Sequence, residues 1–251
     1  MGDLKDYYRR IYGFNTFNRR EWVTQQAKLL PNGSRVLDVG AGVGQYRTLF
    51  THCEYYAQDF GQEIATVGKY TKLDYVCDIT AMPIEDGSFD AVLCTEVLEH
   101  VPEPAEALRE MGRIVRSGGR LLLTAPLGSL LHQEPYHFYG GYTPHWYRRV
   151  LGNCHFDIES IERNQGFFSL FGQEAQRFRS YLHPTHTRKI SVALCVVLTP
   201  LWVLSWPISY ALPLLGNWLD RLDLENTATV GYHVIAVKRQ TVDSADDLSR
   251  D

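Results

Sequence analysis

The segment from Val36 to Gln45 (VLDVGAGVGQ) constrains the fold more than any other part of the chain. An apolar run at 35–39 predicts a short buried strand, and it leads directly into three glycines at alternate positions: Gly40, Gly42 and Gly44. Glycine lets the backbone adopt positive φ and approach a ligand closely. Because any tight turn between a strand and a helix can collect glycines, the segment predicts an α/β ligand site without naming the ligand.

Segments with strand and helix patterns alternate around this turn. The predicted strands are Arg35–Val39, Glu54–Phe60, Leu73–Cys77, Phe89–Cys94 and Arg120–Ala125, and the predicted helices are Trp22–Leu30, Val43–Phe50 and Pro104–Val115. Two later segments, Phe156–Arg163 and Gly231–Arg239, alternate like half-exposed strands. Alternation with short links predicts an α/β fold with a doubly wound parallel sheet.

Charge and cysteine usage narrow the class of protein. A net charge of −4 over 251 residues argues against a nucleic-acid partner, which usually requires a basic face. Five scattered cysteines predict neither a disulfide framework nor a zinc site, and the polar start, Met1 to Arg10, is not a secretory signal. We therefore expect a cytoplasmic protein.

Acidic residues lie at the carboxyl ends of three successive predicted strands, at Asp38, Asp59 and Asp78. The carboxyl ends of parallel strands meet at one edge of a sheet, where such folds bind ligands. The dinucleotide fingerprint G-x-G-x-x-G fails here, because counting from Gly40 the last position is Gln45. Asp38 suits a ligand with an ammonium group, and Asp59 suits the two hydroxyls of a ribose.

Four segments resemble, in order, the class I S-adenosylmethionine-dependent methyltransferases, in particular the groups called type 11 and type 23. They are LDVGAGVGQY (37–46), AQDF (57–60), CDITAMPIEDGSFDAVLCTEVLEHVPEP (77–104) and GGRLLLTAP (118–126), roughly the first half of the chain. The resemblance implies a Rossmann-like sheet of seven strands with the last strand antiparallel. It also implies an enzyme with S-adenosyl-L-methionine as its cofactor.

The resemblance further implies a set of cofactor-binding residues. These are Asp38, Gly40 and Gly42 for the methionine moiety, Asp59 for the ribose, Asp78 and Ile79 for the adenine, and Thr95 and Glu96 for the methionine end, with Gly44 and Phe60 as further cofactor-binding residues. The N-terminal segment of the family often closes over the cofactor, which adds Tyr12 and, more weakly, Tyr7.

Three histidines in the loop 131–146 are candidates for a general base, which methyl transfer needs when the acceptor must lose a proton. We predict His137, with His132 and His145 as alternates, because the family holds this loop over the methyl group. An equally weighted alternative is an aromatic latch. We predict no metal site, since His132, Glu134 and His137 on a loop are not a specific signal, and we expect His100 to stabilise a turn.

An apolar segment separates the two late strands. Ile190 to Leu219 contains no Asp, Glu, Lys or Arg, and Pro200, Pro207 and Pro213 are expected to break it into pieces too short to span a membrane. If both flanking strands belong to one sheet, the insert must also return on the side it left. An interfacial hairpin, a substrate cap and a homodimer interface stay open, and we predict peripheral attachment to the inner face of a membrane.

These patterns predict five segments: an N-terminal cap (1–34), a cofactor-binding core (35–165), an apolar helical insert (166–229), a final core strand (230–239) and a disordered tail (240–251). The favoured function is O- or C-methylation of a lipid-linked or membrane-proximal acceptor, such as a saccharide, a quinone precursor or a lipid. A methyltransferase for a soluble metabolite is the first alternative. A non-catalytic cofactor-binding module is the second.

Overall fold

The computed structural model describes residues 2–61 and 70–240. Within them the strands form one seven-stranded sheet in the order β3-β2-β1-β4-β5-β7-β6. The strands are β1 (Arg35–Val39), β2 (Glu54–Asp59), β3 (Tyr75–Val76), β4 (Phe89–Thr95), β5 (Val115–Pro126), β6 (Phe156–Arg163) and β7 (Gly231–Lys238). Strands β1 to β5 pair in parallel, whereas β7 runs antiparallel to β5. The predicted fold is confirmed, including its antiparallel last strand.

Helices precede and separate the strands along the chain. The α-helices in the described residues are α1 (Gly2–Tyr12), α2 (Phe14–Leu29), α3 (Pro104–Ile114), α4 (Pro144–Asn153), α5 (Phe167–Tyr181), α6 (Pro184–Ile190) and α7 (Val192–Leu219). Short 3-10 turns occur at Arg47–Leu49, Leu98–His100 and Asp220–Leu222.

Apolar side chains cover both faces of the central strands, which is why those strands are apolar throughout. On one face, Leu108 and Met111 of α3 pack with Leu37 of β1. On the other face, Trp22 and Val23 of α2 pack with Val36, the neighbour of Leu37 on the same strand. Alternate residues of one strand thus enter two separate cores.

The helix predicted over Val43–Phe50 is wrong, because the structure has only the 3-10 turn Arg47–Leu49 there. Gly40, Gly42 and Gly44 all have positive φ, so the chain stays in a loop through Gly44 and too few residues remain to form a helix. Among the strands, β3 has only two residues instead of the predicted five, and β5 begins at 115 instead of 120.

The chain divides into two compact units. The sheet unit comprises Arg20–Glu162 and Gly231–Asp251, and the helical unit comprises Met1–Arg19 and Arg163–Val230. The five-segment division expected from the sequence stays a prediction. Residues 241–251, nearly all of the predicted tail, lie outside the described residues.

Helix α7 corrects the expectation that prolines break the apolar insert. It is continuous over 28 residues with Pro200, Pro207 and Pro213 inside it. The hydroxyls of Thr199, Ser205 and Ser209 donate to carbonyl oxygens of the preceding turn, at 2.7–2.9 Å, and so provide polar contacts near the prolines. A proline in a helix interior removes one backbone hydrogen bond without necessarily ending the helix, and apolar helices tolerate it.

Helix α7 is long and apolar enough to cross a membrane, by length and composition. At a rise of about 1.5 Å per residue it measures about 42 Å, against about 30 Å for the hydrocarbon core of a bilayer. Its flanking strands β6 and β7 nevertheless belong to the same sheet. The insert therefore leaves that sheet and returns to it, as the sequence argument requires.

Contacts inside the helical unit bring the two ends of the insert together. The carboxylate of Asp220 accepts hydrogen bonds from the amides of Gly166, Phe168 and Ser169 at 2.9–3.1 Å, at the start of α5. A Cβ added at Gly172 on α5 would lie 2.7 Å from Cα of Pro213 on α7. The two helices therefore pack with nearly touching backbones.

Candidate active site

A cavity of about 310 Å³ lies in the sheet unit where the carboxyl ends of the strands meet, within the size range of small-molecule sites. Seven predicted cofactor residues line it: Gly40, Gly42, Asp59, Phe60, Asp78, Ile79 and Glu96. Nine residues that the prediction did not include line it as well: Gln58, Tyr70, Val97, His100, Val101, Pro102, Gln133, Tyr136 and Phe138.

The glycine loop after β1 forms one wall of the cavity. The amide of Gly42 donates to Oδ2 of Asp59 at 2.9 Å, and the amide of Gly40 donates to Oε1 of Gln58 at 3.3 Å. A Cβ at Gly40 would lie only 2.4 Å from Cγ2 of Val97, another lining residue. The loop approaches the 95–97 turn so closely that position 40 requires glycine.

Asp59 ends β2 with its carboxylate fixed by the backbone. Its Oδ1 accepts from the amide of Gly61 at 3.0 Å, and its Oδ2 accepts from Gly42. A carboxylate has about four acceptor positions, so it can still bind hydroxyl groups. The apolar side chains of Phe60 and Ile79 line the same cavity and suit a flat ring. This donor and acceptor set fits a nucleoside.

Four predicted cofactor residues do not line the cavity. Asp38 is buried and accepts a hydrogen bond from the hydroxyl of Tyr55, and burial raises the pKa of its carboxyl to about 7. Gly44 packs instead against Thr71, and Thr95 ends β4. Tyr12 lies on α1 of the helical unit, where its hydroxyl donates to the Tyr210 carbonyl at 3.2 Å. Their cofactor roles stay predictions.

Glu96 follows β4 with a backbone φ of +53°, a value that residues other than glycine rarely adopt. Two contacts with Thr124 of β5 hold it: the Thr124 hydroxyl donates to Oε1 of Glu96, and the Glu96 amide donates to the Thr124 carbonyl, both at 2.9 Å. Strained residues held by their surroundings cluster at functional sites. The structure thus fixes a carboxylate on the cavity wall.

The three candidate bases lie outside the cavity lining. His137 is half-buried with Nε2 2.9 Å from the Ser129 hydroxyl, and burial, followed by the charge of His132, lowers its pKa. His132 is exposed and contacts the ring of His137 at 4.6 Å between centroids, whereas His145 is exposed at the start of α4. Their catalytic roles stay predictions.

Hydrogen bonds join the loop 131–146 to the 98–100 turn. The amide of Phe138 donates to the carbonyl of Glu99 at 2.8 Å, and Nδ1 of His100 donates to the carbonyl of Tyr136 at 2.5 Å. Burial is the main cause that lowers the pKa of His100. His100 was predicted only to stabilise a turn, but it also lines the cavity. Tyr136 lies 36 residues away in the sequence, so no local pattern predicted its contact with His100.

The sheet order and the strand-end cavity are those of the class I methyltransferase fold. Residues 37–123 match a family model described as a methyltransferase domain. A solved structure of Haemonchus contortus phosphoethanolamine N-methyltransferase 2 in complex with S-adenosyl-L-methionine has a TM-score of 0.52 at 18% identity, over 89% of this chain and 53% of that chain. The predicted resemblance to class I S-adenosylmethionine-dependent methyltransferases is confirmed.

Curated relatives match through the same region. A ubiquinone biosynthesis O-methyltransferase from Xanthomonas axonopodis pv. citri is 36% identical over 116 residues, 42% of this chain and 48% of that protein. A demethylmenaquinone methyltransferase from Renibacterium salmoninarum is 40% identical over 96 residues, 36% of this chain and 40% of that protein. The chain thus spans less than half the length of these relatives in each match.

The fold alone does not define the reaction. The [4+2]-cyclase SpnF has a TM-score of 0.52 at 20% identity, over 88% of this chain and 79% of that chain. A fold shared with a cyclase hosts more than one chemistry, so the activity must be argued from the site.

Proposed function

We propose that this chain is an S-adenosylmethionine-dependent methyltransferase. The observation that carries the proposal is the meeting of Gly42 and Asp59 on one wall of a cavity that the apolar side chains of Phe60 and Ile79 also line. When bound, the cofactor supplies a methyl group on a sulfonium centre. The match of residues 37–123 to a methyltransferase domain supports the same conclusion.

Each wall has a distinct task in binding. The Asp59 carboxylate would accept hydrogen bonds from the ribose hydroxyls, while Ile79 and Phe60 would contact the adenine. Gly40 and Gly42 permit close approach of the backbone, and the fixed Glu96 carboxylate faces the cationic methionine end. Methyl transfer depends mainly on alignment and exclusion of water, which these rigid walls provide.

His137 is our candidate for the base that receives a proton from the acceptor. Its imidazole is held by the Ser129 hydroxyl in the loop tied to the 98–100 turn. General bases contribute about 10²–10⁴-fold to rate. We therefore expect His137→Ala to lower kcat by at least about 10²-fold and to leave the Kd for S-adenosylmethionine unchanged. Undiminished turnover removes His137 from the mechanism and favours the aromatic latch.

We further propose that the acceptor is lipid-linked or membrane-proximal and that the protein binds the inner face of a membrane peripherally. Helix α7 supports this, because its apolar side chains are largely exposed, including Trp206 and Trp218. Arg188 and Lys189 precede the helix and suit anionic head groups. The names of the two curated relatives, both quinone-related, favour a quinone precursor among the acceptors.

Two substrates that differ only in a lipid chain test the acceptor. We would compare methyl transfer to a farnesylated hydroquinone and to the same hydroquinone without the chain, in the presence of anionic vesicles. Higher kcat/KM for the farnesylated compound supports the lipid-linked acceptor. Equal values favour the soluble-metabolite alternative, and binding of the cofactor without turnover on a wide acceptor panel favours a non-catalytic module.

Vesicle co-sedimentation tests the membrane contact separately. Val197 and Leu204 are each 70% exposed on α7, so replacing both with Asp should abolish binding to anionic vesicles without unfolding the protein. The matched control Val43→Asp changes an exposed apolar residue of the sheet unit and should bind vesicles like the wild type. A wild-type protein that stays in the supernatant contradicts the proposal, and a stable dimer in solution would assign α7 to a subunit interface.

A further inference from the structure

We propose that Glu99, His100 and His132 form a binding site for one divalent first-row transition-metal ion, such as Zn²⁺, beside the cavity. One ligand atom from each of these three residues lies within 4.8 Å of the other two. Two imidazoles and one carboxylate are a donor set that such ions prefer, and three protein ligands leave a coordination position open. Binding of the ion stands independently of the proposed function; its chemical role rests on that function.

The hydrogen bonds of the two histidines prepare them as ligands. A carbonyl oxygen can only accept, so Nδ1 of His100 donates to Tyr136 and Nδ1 of His132 donates to Leu130, at 2.5 and 2.8 Å. Each neutral imidazole therefore carries its free lone pair on Nε2. Metal-binding histidines show this pattern, with the second ring nitrogen donating to a carbonyl or carboxylate.

Distances within the cluster are close to those of a coordination sphere. Ligand bonds of about 2.0–2.1 Å place tetrahedral ligand atoms about 3.3 Å apart. Nε2 of His100 lies 3.7 Å from Oε1 of Glu99, so these adjacent residues need a shift of only a few tenths of an ångström. His132 is exposed on its loop, and its side chain can move inward to complete the site.

Burial favours an ion at this position. Glu99 is 2% exposed, and a carboxylate in a low-dielectric environment gains from a nearby positive charge. The backbone of the same residue is fixed, because its carbonyl accepts from the amides of Phe138 and Tyr139. The turn and the loop that supply the ligands are thus joined before the ion binds.

The position of His100 gives the ion a task in the proposed reaction. His100 lines the cavity, so an ion held by it would lie beside the space in which an acceptor would bind. A bound metal ion lowers the pKa of a coordinated hydroxyl and orients its oxygen. We infer that the acceptor is a hydroxylated compound whose oxygen would bind the ion and whose proton would be released to water.

A titration with Co²⁺ tests the site without requiring turnover. The tag-free, chelator-treated protein should bind one equivalent, develop a visible absorption band and lose it on addition of Zn²⁺. His132→Ala removes a ligand and should weaken binding by at least about 10–100-fold, the loss that removal of a residue supporting a ligand already causes. The matched control His145→Ala removes an exposed histidine outside the cluster and should bind Co²⁺ like the wild type.

Absence of the absorption band, or equal Co²⁺ affinity of the His132 and His145 variants, would overturn the proposal. Glu99→Gln, with its fold checked by circular dichroism, provides a second ligand test and should also weaken binding. The Co²⁺ titrations are made without S-adenosylmethionine, and binding of S-adenosylmethionine is measured separately by calorimetry. A protein that binds S-adenosylmethionine but no metal refutes the metal site alone. A protein that binds Co²⁺ but no S-adenosylmethionine refutes the proposed function.

Discussion

Replacing Gly40 with alanine tests whether the glycine loop shapes the cavity. Gly40 has φ of +68°, and an added Cβ would lie 2.4 and 2.9 Å from the two methyl groups of Val97. Carbon atoms pack favourably at about 3.5–4.0 Å, so Val97 must move by more than about 1 Å. Since Val97 lines the cavity, that movement changes the binding wall.

Gly33 provides a matched control for this variant. It has φ of +78° but no atom within 4 Å of an added Cβ, so Gly33→Ala introduces backbone strain without a clash. Left-handed strain costs about 1–2 kcal/mol in either variant. Overpacking against Val97 adds about 1–3 kcal/mol to the cost of Gly40→Ala alone. The difference between the unfolding free energies of the two variants should therefore be about 1–3 kcal/mol.

Urea unfolding and calorimetric titration with S-adenosylmethionine measure the two consequences. We expect Gly40→Ala to weaken cofactor binding by about tenfold or more, the equivalent of about 1.4 kcal/mol, and Gly33→Ala to leave it unchanged. Adding Val97→Ala to Gly40→Ala removes both clashing methyl groups and should restore most of the affinity. Equal stability and equal cofactor affinity of the two single variants would refute the reasoning.

Two further predictions concern other parts of the chain. Burial raises the pKa of Asp38 to about 7, so the folded state holds this proton more tightly than the unfolded state does. The free energy of unfolding should therefore fall by up to about 4 kcal/mol between pH 4 and 7. Urea titrations across this range should show a flatter pH profile for Asp38→Asn than for the wild type, and equal profiles would contradict the prediction. Gly172→Ala on α5 should increase proteolysis of the insert because its Cβ would contact Pro213, whereas Gly152→Ala on α4, with open space, should not; equal proteolysis would contradict the packing.

Features that depend on local sequence and chain order could be predicted. The glycine loop, Asp59 and Asp78 lie in consecutive strand–turn units, so their convergence follows from the parallel topology. Seven of the predicted cofactor residues accordingly line one cavity. The antiparallel β7 came from the family resemblance.

Features that depend on distant contacts could not be predicted. The hydroxyl of Tyr55, on the neighbouring strand, donates a hydrogen bond to Asp38, and no local sequence pattern predicts that partner. Glu99, His100 and His132 meet across a 32-residue separation in sequence. Helix α7 shows a different limit: proline propensity predicted a break, yet the helix continues through all three prolines.

Calorimetric titration of the purified protein with S-adenosylmethionine and, separately, with NADH tests the central claim most directly. The wild type should bind the former only. Asp59→Ala removes a charged acceptor worth about 1.5–3 kcal/mol and should weaken binding by about tenfold or more, whereas Asp157→Ala, at an exposed ion pair, should not. If the folded protein binds NADH, or gives no heat with S-adenosylmethionine, the proposed function is wrong.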